Sequence, residues 1–172
     1  MSIPRPSAIN LPLPRWAYVP GEILQAEADY ETLAQARLLV PSRFQGYVPA
    51  RHPALRYGIA LNDNGYFWEA QEILEAVWAA APQGGRERIL LRACIQIANA
   101  NLRLRMQKPR AATRFLGEAL GELDALRKAA AEGDGFADGF PAAALAAVLA
   151  ARLSLPVLSR GDWVAIGAVV RT

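Results

Sequence analysis

The chain has 172 residues, 53% of them hydrophobic, with 19 basic and 16 acidic side chains, one Cys and one His. A chain of this length buries about 70% of its unfolded surface, so a single domain over residues 1–172 can hold together with no disulfide or metal staple. Lone Cys94 has no internal disulfide partner. One His and one Cys also cannot supply the three or four nitrogen and sulfur donors of a zinc site, or a His pair or Cys/His pair for catalysis, so no metal or cofactor is expected.

The net charge of +3 implies no particular partner. Its distribution is uneven: Arg86, Arg88, Arg92, Arg103, Arg105, Lys108, Arg110 and Arg114 share their stretch with a single acid, Glu87. Nucleic-acid surfaces interleave aromatics with such cations, and only Phe115 stands nearby, so the run reads as a solvated helix face rather than a nucleic-acid site. Pro4, Pro6, Pro12, Pro14 and Pro20 break any signal-peptide helix at the start, and a cytoplasmic location is the expectation. The most membrane-like stretch, Phe140 to Leu158, is interrupted by Arg152 and Pro156 and reads as a buried Ala-rich helix, so no membrane partner is expected.

In chain order, residues 1–21 form a proline-stiffened extended arm ending at Pro20-Gly21. The arm should lie over the domain, since Leu11, Leu13, Trp16 and Tyr18 are costly to leave in water. Glu22 to Val40 reads as a helix with Ile23, Ala26, Tyr30, Leu33 and Arg37 on one side, and Pro41, Gly46 and Pro49 then impose a loop. Pro53 suits the first turn of a helix that Asn64-Gly65 stops, and a second helix follows from Phe67 to Ala81. On that second helix Val77, Ala70, Leu74, Phe67 and Trp78 make the apolar face, with Ile73 at its margin.

Arg86 to Gln107 is apolar around about two thirds of its circumference and must be packed on several sides. Its polar stripe is Arg92, Gln96, Asn99 and Arg103, while Asn101 falls inside the apolar arc and needs a buried partner. Pro109 opens a helix to about Glu132 with Ala112, Phe115, Leu116, Ala119, Leu120, Leu123 and Leu126 inward. Gly133, Gly135 and Gly139 mark a loop before an Ala-rich helix from Phe140 to Ser154. Residues 156–172 form a tail, β-like only over Trp163 to Val170, that packs on the domain. The fold class is therefore all-α, a bundle of about five helices built on a helix-turn-helix hairpin packed against a central apolar helix.

The residues Tyr57-Gly58-Ile59-x-Leu61-Asn62-x-x-Gly65-x-Phe67-x-Glu69-Ala70-Gln71-Glu72-x-Leu74-Glu75-x-x-Trp78, with Ile95-Gln96-x-Ala98 on the next helix, resemble a known family. It is the group of small bacterial and archaeal helical proteins called domain of unknown function 309, and the match runs from about Pro53 to Leu126 inside a core spanning residues 53–132. The resemblance implies a helix carrying a Gly and then an Asn, a Gly turn, an Ala-His-Glu-x-x-Glu helix ending in Trp, and an Ile-Gln helix. Where that pattern has His this chain has Gln71, which neither ligates metals well nor exchanges protons near neutrality, so any chemistry relatives perform there is lost or altered. The family carries no agreed function and supplies no reaction.

Inward polar residues on neighbouring helices define a candidate ligand site: Asn62, Gln71, Glu72, Glu75, Gln96, Asn99 and Arg103. Mutual pairing of the amides, with Glu72 and Glu75 facing Arg92 or Arg103, explains these residues at least as well; a small-ligand or cation site is the alternative, and catalysis ranks last. His52 reads as a solvated or capping residue. Gly58, Leu61, Gly65, Phe67, Ala70, Leu74, Val77 and Pro82 also match a tetratricopeptide hairpin, with a degenerate echo at Ala112, Leu116, Ala119 and Leu120 but no regular array. An interaction domain follows as the leading expectation, non-catalytic, binding itself or another protein, with Trp68 as the candidate interface residue.

Overall fold

Two helices, Pro53–Asp63 (α2) and Phe67–Ala80 (α3), begin and end where the local chemistry dictates. The computed structural model of the protein describes residues 11–22, 27–128 and 135–167. Helix α2 spans Pro53–Asp63, with Pro53 in its first turn and the His52 Nδ1 accepting the Ala54 N–H at 3.2 Å. His52 is thus a capping residue, its ring edge-on to Phe44 at 5.0 Å, and partial burial lowers its pKa. Gly65, at φ +90°, makes the left-handed turn that stops α2 and folds α3, Phe67–Ala80, back along it.

Helix α4, Arg86–Arg105, lies between α3 and α5, Pro109–Lys128, which accounts for its wide apolar surface: Leu90, Leu91, Cys94, Ile97 and Ala100 are fully buried. Burial pushes the Cys94 thiol up to about 12, so it is a packing residue with no reactive thiolate at neutral pH. The chain leaves α4 by a left-handed cap. Gln107 sits at φ 61°, its N–H donating to Leu104 at 3.0 Å and the Lys108 N–H donating to Arg103 at 2.8 Å. Helix α7, Ala142–Leu153, packs on α5.

Among the described residues there are seven helices and no strand, so the all-α class holds, with more helices than the expected bundle of about five. The addition is α6, Phe136–Gly139, in a stretch whose glycines suggest only a loop. Phe136 anchors it by burying its ring and donating its N–H to Val48 O at 2.8 Å, next to an isolated bridge between Pro49 and Gly135. Helix α5 is described to Lys128, and its expected extension to Glu132, like Gly133, lies outside the described residues.

Of the expected helix from Glu22 to Val40, the described residues are helical only over α1, Tyr30–Arg37, and Ile23 and Ala26 lie outside the described residues. Asp29 is the reason. Its carboxylate accepts the Arg15 N–H at 2.9 Å, the Arg15 guanidinium at 3.2 and 3.1 Å and the Thr32 hydroxyl at 2.7 Å, which fixes its backbone outside the helical region. Hydrogen bonding from Arg15 holds this carboxyl far below the ordinary range. On α1 the buried pair is Leu33 and Ala36; Tyr30 is 54% exposed, contrary to the expected face.

The arm docks on its own chain. Tyr57 donates its hydroxyl to Pro12 O at 2.7 Å, Tyr18 donates its N–H to Glu69 at 2.8 Å, and Val19 is buried, although Leu13 stays largely exposed. Desolvation pushes the Tyr57 phenol up to about 12. The fold therefore favours the neutral phenol, and that contribution is complete below pH 10 and lost as pH rises toward 12. We expect Tyr57→Phe to flatten this part of the stability profile, as read by urea titrations at pH 9, 10.5 and 11.5; identical alkaline slopes in the two proteins would refute the burial of this phenol. Among the described residues no helix is long and apolar enough to cross a membrane.

Candidate functional site

The structure divides the predicted polar cluster into three neighbourhoods. Glu75, Gln96 and Asn99 do come together, lining a surface cavity of about 420 Å³ between α3 and α4 with Trp78, Arg92 and Ile95. Asn99 donates to Gln96 at 3.1 Å, and Gln96 donates across to Glu118 on α5 at 2.7 Å. Partial burial raises the Glu75 pKa, with Glu72 adding to the rise and Arg37 opposing it. Gln71, one turn before Glu75, keeps a buried Nε2 with no hydrogen-bond partner.

Glu72 belongs to the second neighbourhood. Its expected pairing with Arg92 or Arg103 is not found; α1 places Arg37 against it at 2.6 Å, and Arg92 instead faces Glu122 at 3.6 Å. Arg103 stacks over Phe115 at 5.5 Å, with a long contact of 3.8 Å to the Met106 sulfur. Trp68 lies beside this region under the arm and α1, edge-on to Tyr18 at 5.1 Å and to Tyr30 at 5.8 Å. The candidate interface tryptophan thus already has an intramolecular covering.

Asn62 forms the third neighbourhood, and there the polar groups converge on a peptide. Asn101 donates to Asn62 Oδ1 at 2.8 Å and to Val164 O at 2.8 Å, while its own Oδ1 accepts the Val164 N–H at 2.8 Å. Asn62 adds a donor to Val164 O at 3.1 Å. Asp63, the last residue of α2, accepts the N–H groups of Ile166 and Gly167, each at 2.7 Å, and the Asn62 amide at 3.0 Å. Two helices therefore hold residues 164–167 by their main chain, while the side chains of Val164 and Ile166 go into the core and Trp163 packs on Phe67 at 5.7 Å. Gly167 is required by this approach, because a Cβ there would lie 2.6 Å from the Asp63 carboxylate.

Sequence reasoning identified Asn62 and the need of Asn101 for a partner but missed Asp63 and Glu69. An acid in the last turn of a helix opposes the helix dipole, and that misfit was the available signal for Asp63. Glu69 is fully buried; Oε2 accepts the Tyr18 N–H, Oε1 has no partner, and burial raises its pKa. A glutamate in a helix's first turn looks ordinary, so nothing in the sequence marked it. Among the described residues no group of three or more His, Cys, Asp and Glu side chains is placed to hold a metal ion.

The family model described as Domain of unknown function (DUF309) matches residues 55–115. Over that span, under half of the chain and narrower than Pro53 to Leu126, the resemblance read from the motif is confirmed. Comparison with curated proteins and with solved structures finds no match.

Proposed function

We propose that this helical domain is a non-catalytic interaction module that grips peptide segments by their backbone, and that it associates with a second protein or a second copy of itself through the slot between α2 and α4. The supporting observation is the set of main-chain contacts from Asn62, Asp63 and Asn101 to residues 164–167. Contacts of this kind recognise a backbone, and the pockets taking Val164 and Ile166 would select an apolar-x-apolar-Gly pattern. The tetratricopeptide-like hairpin, with Gly58 where α2 meets α3, suits the same role, as does a cytoplasmic setting. Val157, 72% exposed at the start of the tail, adds an apolar contact point for a partner.

The test uses the full chain with its own tail weakened by Val164→Asp and a labelled peptide of residues 159–172. Saturable binding is expected, lost when Asn101→Ala is added, and sedimentation will show whether unmodified copies exchange tails. No binding by the Val164→Asp protein overturns the proposal. A second reading, a small-ligand site at Glu75, Gln96 and Asn99, is favoured by the cavity beside them and by the partnerless Gln71 amide. A metabolite that raises the melting temperature of the unmodified protein but not of Glu75→Gln would support it.

A further inference from the structure

The basic run on α4 and α5 has no role in the peptide slot, yet part of it converges with two distant segments. Arg105, the last residue of α4, and Lys108 just after it face Arg160 from the turn early in the tail and the Val19–Glu22 end of the arm around a surface cavity of about 500 Å³. Arg160 reaches Arg105 O at 3.4 Å, and the capped turn Ser159–Asp162, tied to Arg152 by a 2.9 Å bond to Asp162 O, sets its position. Among the described residues Glu22 is the one acid in this lining and pairs with Arg105 at 3.1 Å, which leaves Lys108 and Arg160 as the surplus positive charge.

A second feature marks the same place. Gln107, also in the lining, occupies the left-handed cap position at φ 61°, where glycine would be less strained. A polar side chain lines the cavity in a backbone conformation that costs stability, and such strain gathers at binding sites.

We infer that this cavity binds a small phosphate-bearing molecule, its doubly charged phosphate group held between Lys108 and Arg160 and its uncharged part against the Val19 to Gly21 wall. Two surplus cations match the dianionic charge of a phosphate monoester, and ammonium and guanidinium donors are the groups that bind phosphate oxygens. The volume leaves space for more than the phosphate alone. Because the three walls come from the arm, the α4 terminus and the tail turn, occupancy would also hold arm and tail in place.

The test is calorimetric titration of the full chain with inorganic phosphate, pyrophosphate and adenosine monophosphate at constant ionic strength. We expect saturable binding of at least one, weakened at least tenfold in a Lys108→Ala/Arg160→Ala double variant, whose exposed side chains can be removed without unfolding the domain; circular dichroism checks this. Arg114→Ala, in the same basic run but outside the cavity, should bind as the unmodified chain does. Absence of saturable binding, survival of binding in the double variant, or an equal loss in Arg114→Ala, the mark of diffuse attraction for any polyanion, would each overturn the inference.

Discussion

Asn101→Ala will destabilise the protein by about 3 kcal/mol and loosen the tail, an effect far larger than that of Asn99→Ala two residues away. Removing the Asn101 amide strips the Val164 N–H of its acceptor and Asn62 Oδ1 of its donor, whereas Val164 O keeps the Asn62 amide at 3.1 Å. Each buried polar group left without a partner costs about 1–3 kcal/mol, and here there are two. The chain can limit that cost by releasing the tail, but release exposes Val164 and Ile166, worth about 2 kcal/mol each. Either route gives a similar total, and the two differ in what urea titration reads. If the tail stays in place, the midpoint falls with an unchanged slope; if it detaches, the slope also falls, because less surface remains to be exposed on unfolding. Limited proteolysis beyond Asp162 separates the same two cases. A variant as stable as Asn99→Ala would show that these hydrogen bonds contribute nothing net.

The helical hairpin and central helix were legible because their signals are local: Pro53, the Asn64-Gly65 stop and the apolar arc of α4 each act within a turn or two of chain. The polar sites were legible only in part. Asn101 announced a buried partner through its place among apolar residues, but that partner is a backbone 63 residues away, and no periodicity points to it. Glu72 was expected to face an arginine across α4 and found Arg37 on α1, because the arm and α1 pack over one side of α3 while α4 takes the other. The shortened α1 has the same origin. Asp29 serves Arg15, which is 14 residues earlier, and that demand overrides a local pattern that would have carried the helix back to Glu22.

The family motif gains a physical basis from these contacts, and Gly58 provides its sharpest test. A Cβ at that position would lie 2.8 Å from Leu74 Cδ2, 3.0 Å from Leu74 Cγ and 3.4 Å from Ile73 Cγ2, and both neighbours are fully buried. Gly58→Ala sets a helix-propensity gain of up to about 1 kcal/mol against a shift of the Leu74 side chain, and should come out near neutral. Gly58→Val adds two branched methyl groups at the closest approach of α2 and α3 and should cost about 2 kcal/mol, lowering the melting temperature by roughly 4–8 °C. Leu74→Ala alone should cost about 2–5 kcal/mol through the cavity it leaves. If Gly58 is small because Leu74 fills the space against it, the pair is coupled: the double variant Gly58→Val/Leu74→Ala will be more stable than the sum of the single effects predicts, by roughly 1 kcal/mol or more. Strict additivity would mean that the strain falls elsewhere in the hairpin. Because α2 carries Asn62 and Asp63 four and five positions after Gly58, any displacement of α2 from α3 is also felt at the tail, so Gly58→Val should raise protease sensitivity beyond Asp162 while Gly58→Ala leaves it unchanged.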